Sequence, residues 1–393
     1  MKKQLFLITF CLFVLLVSGS GVLAEAPGVT ADSITVGSIL DLSGPVVYTL
    51  TQSNYGQLAY IQKAYDEGIY KRKIKVVAED GGYNPAKHLA VAKLLLDRDN
   101  VFCFINSVGT APTLALNSLL EARKVPLTGM NAQSKALAVP FKRYIFNQMP
   151  SYYDSARVAV DFIVSQNPKA RIAIVCQDDQ FGYEARDAFL EQVKKYGLTP
   201  AGIATYQRGT KDFSSPALKL KSLNPDYVLN HGVPPYCAAV LKEAMKLGWK
   251  MKWVITGGPT KDFIKLSGEA VEFADVVYGV KPNFPADGNS PGAIEFREAI
   301  KKYQPKADAD YGAINGYGMA KILVEGLKRA EANNDLTREG LIKALETFKD
   351  FETGVFPPIT YSSTSHASPD SCLLVKYQDK TFVPVTGQWS KAK

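Results

Sequence analysis

Apolar residues along the chain repeat with two periods that take turns. Runs of five to eight residues, apolar throughout or at every second position, read as strands, and stretches of 12 to 20 with apolar positions three and four apart read as helices. Strands are expected at 34–41, 73–80, 101–105 and 125–128. Helices are expected at 52–67, where Leu58, Ile61 and Tyr65 share a face, at 85–98, where Pro85 opens the first turn, and at 112–123. After a break near Pro150 the alternation starts again. Helices at 151–166, 183–196, 214–223 and 235–247 are interleaved with strands at 171–176, 201–206, 226–231 and 253–256.

Alternation of this kind builds parallel sheets with helices on both faces, because each parallel crossover needs a helix and is right-handed. Two series in one chain predict an α/β protein of two doubly wound lobes. The C-terminal third continues neither series simply: a strand at 276–280, helices at 291–303, 311–332 and 337–348, and strands at 355–361, 373–377 and 382–385, the last two a hairpin around Gln378-Asp379-Lys380. The chain is expected to recross to the first lobe near Val276 and return near Gly354, so that three strands form the hinge. The expected first lobe is 28–148 with 278–353, and the second 149–277 with 354–393.

The N-terminus changes the picture by fixing a compartment. Lys2 and Lys3 precede an apolar run from Leu5 to Val17, and Val22-Leu23-Ala24 offers small side chains where a signal peptidase reads. About 13 strongly apolar residues fall short of the ~20 that a membrane-crossing helix needs. A cleaved signal peptide of 1–24 and a periplasmic location are expected. Cys11 sits inside the apolar run behind bulky Phe10, which speaks against a lipid-modified cysteine. Removing the leader takes the net charge from +8 to +6, without a dense basic stripe, so nucleic acid is not an expected partner. Cys103, Cys176, Cys237 and Cys372 show no disulfide framework, and with three histidines and no clustered Cys/His pattern neither a metal nor another cofactor is expected.

Seven short motifs, in order, resemble one family. Ile34-Thr35-Val36-Gly37 leads into Asp41-Leu42-Ser43-Gly44-Pro45, and Glu79-Asp80 precedes Asn84-Pro85. Gly109-Thr110-Ala111-Pro112 opens a helix, and Asp178-Asp179-Gln180-Phe181-Gly182 follows a strand. Tyr206 with Lys211-Asp212-Phe213-Ser214, Asn224-Pro225-Asp226, and Tyr311 with Gly316-Tyr317 complete the set. Over residues 31–390 the chain resembles the type I periplasmic binding proteins of the branched-chain amino acid transport family. The resemblance implies two α/β lobes around a ligand cleft and docking of the closed, loaded form on an inner-membrane ATP-driven permease; a monomer is expected.

In doubly wound sheets ligands sit beyond the carboxyl ends of strands. The loops there hold Ser43 and Tyr48 after the first strand, Ser107, Val108 and Thr110 after the third, and Met130 and Asn131 after the fourth. A helix starting near Thr110 would expose unpaired N–H groups toward a carboxylate, and Ser107 and Thr110 could add hydroxyls. The resemblance also implies that Ser and Thr here hold a ligand carboxylate; capping alone is the other reading of Thr110. Across the cleft the resemblance puts an aromatic ring at Phe181, with Tyr183 close by. His231 and Tyr236 follow a strand, His231 reading equally as ligand donor or satisfied structural group, and Tyr152 and Tyr153 are candidate walls.

Two departures narrow the ligand. Amino-acid-binding members carry an acid near Gly258 to pair the ligand ammonium; this chain has Thr256-Gly257-Gly258-Pro259, with Asp262 the nearest carboxylate. An unpaired ammonium in a closed cleft would cost several kcal/mol. A frequent arginine before the second lobe is replaced by Asn147-Gln148. The expected ligand is a carboxylate with an apolar or aromatic body; the alternative is a branched-chain or other hydrophobic amino acid, or an amide, with Asp262 meeting the ammonium if its loop folds inward. No GxSxG, HExxH or P-loop pattern points to an enzyme, and the leader occupies the place a regulator's helix-turn-helix would take. Transport and sensory roles read alike in the sequence.

Overall fold

The computed structural model describes residues 26–367 and 369–393, so the expected leader and its cleavage after Ala24 lie outside the described residues. In the first lobe, β1 (Ser33–Leu40) pairs in parallel with β2 (Lys73–Asp80) and β3 (Phe104–Asn106), in the order β2-β1-β3. The crossovers are α1 (Val47–Asp66) and α2 (Pro85–Asp97), followed by α3 (Thr110–Ala115) and α4 (Asn117–Arg123). Asn84 caps α2 by accepting from the N–H groups of Ala86 and Lys87, with Pro85 behind it where no donor is missed.

Two expectations change here. The helix predicted at 112–123 is two short ones, because the Leu116 N–H bonds back to the Thr113 carbonyl at 3.1 Å, a tighter turn that ends α3. The strand predicted at 125–128 is reduced to bridges from Leu127 to Phe104 and Ile145.

The second lobe runs through α5 (Tyr152–Gln166), β4 (Ile172–Gln177), α6 (Gln180–Lys195), β5 (Gly202–Tyr206), α7 (Ser214–Ser222), β6 (Tyr227–His231), α8 (Pro234–Lys246) and β7 (Lys252–Thr256). Two short helices that the pattern does not show, α9 (Lys261–Ser267) and α10 (Glu269–Phe273), lead to β8 (Val276–Lys281). The expected lobe boundary at 278 falls inside β8, which pairs in parallel with β7. The chain then adds α11 (Pro291–Tyr303), α12 (Tyr311–Ala332) and α13 (Arg338–Leu345), which share the first lobe's core, and ends with the hairpin β9 (Ser371–Gln378) and β10 (Thr381–Lys391). The second sheet is ordered β10-β9-β8-β7-β6-β4-β5, parallel except for β9 and β10. Residues 355–361 form no strand: Pro357 and Pro358 remove two donors, and one bridge from Phe351 to Ile359 remains.

The chain passes between the lobes three times, near 148–151, 282–286 and 355–370. These passages are tied to one another. The N–H of Asn147 donates to the His366 carbonyl, the Tyr361 hydroxyl to the Asn147 carbonyl, and the N–H of Phe284 to the Val355 carbonyl. The His366 ring stacks on Phe146 with centroids 3.8 Å apart.

In the first lobe, α1 and α12 meet backbone to backbone. A Cβ on Gly56 would lie 1.8 Å from the Ala313 carbonyl oxygen, one on Gly316 1.9 Å from that of Ser53, and one on Gly312 2.2 Å from that of Thr49. No side chain fits, so glycine is required by proximity. Tyr60 and Tyr317 pack edge to face farther along, 5.0 Å apart. Gly316→Leu is expected to cost about 3 kcal/mol or more by forcing the helices apart. Urea denaturation reads this directly, and a change under about 1 kcal/mol would mean that the interface tolerates separation.

Candidate functional site

Strand ends and helix starts from both lobes converge on one cavity, with room for several water-sized groups. From the first lobe come Val46, Thr49 and Leu50 at the start of α1, Tyr83 after β2, Val108 and Gly109 after β3, Asn131 and Gln133, and Tyr311 at the start of α12. The second lobe adds Tyr152, Phe181, Val233, Pro234 and Gly257. Nearly all stand at the carboxyl ends of strands or in the first turn of a helix, as the winding of the sheets requires.

The walls are apolar and aromatic, with a few fixed polar groups. Tyr152 and Phe181 pack edge to face at 4.8 Å, each held by its place at a capped helix start. Gly109 has φ +82, and a Cβ there would lie 2.6 Å from the Tyr83 ring, so only glycine lets Tyr83 close that side. Gln133 donates to the Tyr311 hydroxyl at 3.1 Å. Asn131 belongs to a buried amide chain: it donates to Asn106 and Ser53, accepts from Asn315, and Asn315 in turn accepts from Asn283 at 2.6 Å, at the second passage between the lobes. No Asp, Glu, Lys or Arg lines this cavity among the described residues.

Of the residues singled out in the sequence, Val108, Asn131, Tyr152 and Phe181 line the cavity. Four others lie directly behind or beside the wall. His231 is buried with its ring 4.3 Å from Phe181 and 5.1 Å from Tyr152, its Nδ1 2.9 Å from the Thr256 hydroxyl. Ser107 shares its hydroxyl with His88 Nε2 and the Thr113 hydroxyl. Thr110 is buried, and its hydroxyl has no partner among the described residues. A Cβ on Gly258 would lie 3.1 Å from the Gly232 carbonyl oxygen and the Pro234 nitrogen, which makes it a packing position between loops.

The structure places the remaining five elsewhere. Exposed Ser43 donates to Asp80 at 2.6 Å, and half-buried Tyr48 donates to Asp308 at 2.9 Å. Met130 is buried in the first lobe with Leu127 and Leu137. Tyr183 donates to Asp178, and Tyr236 accepts from the Gly209 N–H while packing on Tyr206 and Phe213. Asp262, in the first turn of α9, is not part of the wall. The early part of α1 escaped sequence reasoning because its helical pattern was read from Gln52, five residues after the helix begins. Tyr311 carried a signal in Asp310, whose carboxylate caps α12.

Both rims of the cleft are bridged. Arg208 donates to the Tyr83 carbonyl at 3.1 Å and to Asp179 at 2.7 Å, and its guanidinium lies 5.0 Å over the Tyr83 ring. On the other side the Glu184 carboxylate accepts from the Ser134 hydroxyl and from the Lys135 N–H at 2.8 Å. Burial raises the Glu184 carboxyl above its ordinary range.

Desolvation pulls the His231 imidazole down to about 3 and that of His88 down to about 4. Both are neutral in the folded protein at neutral pH. Since the unfolded chain binds those protons near pH 6.5, their contribution is fully present above that pH and lost as pH falls toward 4. Urea denaturation is expected to show stability falling from pH 6.5 to 4.5, with His231→Gln flattening the slope by about one proton whatever its absolute stability. An unchanged slope would show that His231 is charged when folded.

Comparison with known proteins places this geometry in a family. A family described as periplasmic binding protein matches residues 33–381. The chain is 23% identical over 353 residues to the Leu/Ile/Val-binding protein homolog 3 of Brucella melitensis, covering 89% of this chain and 93% of that relative. Among solved structures it is similar to a fatty acid ABC transporter substrate-binding protein from Thermomonospora curvata, with a TM-score of 0.85, 23% identity, and coverage of 94% of this chain and 95% of that one. A branched-chain amino acid ABC transporter protein from Thermus thermophilus with bound valine gives a TM-score of 0.82 at 20% identity, covering 92% and 97%.

Proposed function

The chain belongs to the periplasmic binding protein family, and from that premise we propose that it is the extracytoplasmic receptor of an ATP-driven importer, taking up a small carboxylic acid with an apolar or aromatic body. It works by binding and closure, without turnover, and hands the solute to an inner-membrane permease. The expected signal peptide and the family together support a periplasmic location. The relatives and neighbours named for leucine, isoleucine and valine, for valine and for a fatty acid all concern carboxylic acids with apolar bodies.

One observation carries the ligand reading. The cavity wall is built from four aromatic rings, Tyr83, Tyr152, Phe181 and Tyr311, with Val46, Leu50, Val108, Val233 and Pro234 between them, and no carboxylate on it among the described residues. An α-ammonium enclosed there would lose its hydration without a charged partner, whereas an aromatic or aliphatic body would meet ring faces and methyl groups. The buried, unpartnered Thr110 hydroxyl beside Val108 and Gly109 supports a polar anchor at that end. The six-residue α3 is too short for its dipole to be the main attraction, so hydroxyl and backbone N–H donors carry it.

Mechanistically, Tyr152 and Phe181 from one lobe and Val108, Asn131 and Tyr311 from the other touch the solute together only when the lobes meet. Each such contact adds to the free energy of the closed state, and selection among solutes is a difference in closure energy.

A thermal-shift screen of refolded protein against aromatic acids, short fatty acids, amino acids and amides tests this. At 100 times its dissociation constant a true ligand adds about 2.7 kcal/mol. Aromatic or short-chain acids are expected to shift the transition, and Phe181→Ala or Tyr152→Ala to weaken them about tenfold or more. Tight calorimetric binding of leucine or valine, with no response to simple acids, would favour an amino acid receptor instead.

A further inference from the structure

A small second pocket lies on the other side of Tyr311, with room for about one water-sized group. It is formed where α9, the end of β8, the start of α12 and the start of β10 meet, so both lobes contribute. Tyr311 belongs to its wall and to that of the main cavity.

Lys281, the last residue of β8, lines this pocket. It is 94% removed from solvent, yet its ammonium makes no hydrogen bond or ion pair among the described residues. Its nearest aromatic contact is the Tyr311 ring, 5.8 Å from Nζ to the centroid, at the outer limit of a useful cation–π contact. Burial pulls its pKa down to about 8, so it is still mainly charged at neutral pH.

The other charged groups of the pocket are engaged. Lys261 and Asp287, both exposed at the mouth, lie 3.8 Å apart, and Asp287 also accepts from the Thr381 hydroxyl at 2.8 Å. Buried Asp310 accepts from the N–H groups of Gly312 and Ala313 at 3.0 and 3.2 Å, and burial pushes its carboxyl up to about 6. Of two cations and two carboxylates, only Lys281 lacks a direct partner. A methionine would fill the same volume without the desolvation penalty of a buried cation. The position also lies at the carboxyl end of β8, which pairs in parallel with β7 on one side and antiparallel with β9 on the other, and doubly wound folds meet their ligands at the carboxyl ends of parallel strands.

We propose that this pocket is an anion subsite in which Lys281 receives a carboxylate, so that the cleft favours solutes carrying an acidic group past the Tyr311 ring in addition to an apolar body in the main cavity. The inference rests on the main cavity being the solute site. The carboxylate is either the second acid group of one solute or a separate small anion bound alongside a monoacid; Lys281 recognises the same chemistry in both.

Calorimetry on the full mature chain and its Lys281→Met variant, with matched pairs of mono- and dicarboxylic acids on aliphatic and phenyl bodies, tests it. The wild type is expected to prefer the diacid of a pair by about thirtyfold, in the range for a buried charge pair, and the variant to lose that preference while keeping monoacid affinity within about twofold. If acetate added to the wild type raises monoacid affinity and has no effect on the variant, the subsite takes a separate anion. Monoacids that bind without any diacid or acetate effect would overturn the subsite and leave the main-cavity reading standing. Binding of neither kind of acid would remove both. An equal loss for mono- and diacids in a variant at least as stable as the wild type would make Lys281 a closure contact and overturn the subsite.

Discussion

The close approach of α1 and α12 decides where much of the first lobe's share of the cavity stands. Gly56, Gly312 and Gly316 let the two backbones touch the carbonyls of Ala313, Thr49 and Ser53, distances at which any side chain would clash. Because that contact is backbone on backbone, it leaves little freedom for one helix to slide along the other. Thr49 and Leu50 on one helix and Tyr311 on the other are therefore fixed relative to each other. The same contact places Ser53 within reach of Asn106 and Asn131, so the packing of two helices also sets the polar floor of the site.

From that floor a line of amides runs outward. Ser53, Asn106, Asn131, Asn315 and Asn283 are linked by consecutive side-chain hydrogen bonds, the last at a passage between the lobes. Buried amides of this kind are costly unless satisfied and rigid when they are. They connect a residue of the cavity wall with a segment at a passage between the lobes, so the wall and that passage share one network.

The electrostatics divide the cleft by function. Charge is kept off the main cavity wall and placed at the rims, where Arg208 reaches the Tyr83 carbonyl and Glu184 reaches Ser134 and Lys135. Partly hydrated rim contacts of this kind are individually weak, while the wall between them is mostly apolar and aromatic. The one buried cation in the neighbourhood, Lys281, stands behind Tyr311 and outside this division.

The sequence by itself determined the alternation of strands and helices, the two series, and the helix starts at Asn84-Pro85, Ser151 and Thr337, because hydrophobic period and capping act over a few residues. It also identified Val108, Asn131, Tyr152 and Phe181, since a residue just beyond a strand or in the first turn of a helix faces the crevice in any doubly wound fold. What it could not decide was orientation among residues far apart in the chain. Ser43 and Tyr48 stand in the right loop, but Asp80 and Asp308, 37 and 260 positions away, draw their hydroxyls aside. Tyr311 and Lys281 became neighbours of the cleft only through the crossings between lobes. The split of the expected helix at 112–123 and the loss of a strand at 355–361 were settled by local bonds that a period count does not see, a tightened turn at Leu116 and two missing donors at Pro357 and Pro358. Local pattern fixes which elements form; which side chain lines the cavity is decided by tertiary contacts, where a hydrogen-bond partner far along the chain competes with the cavity for the same group.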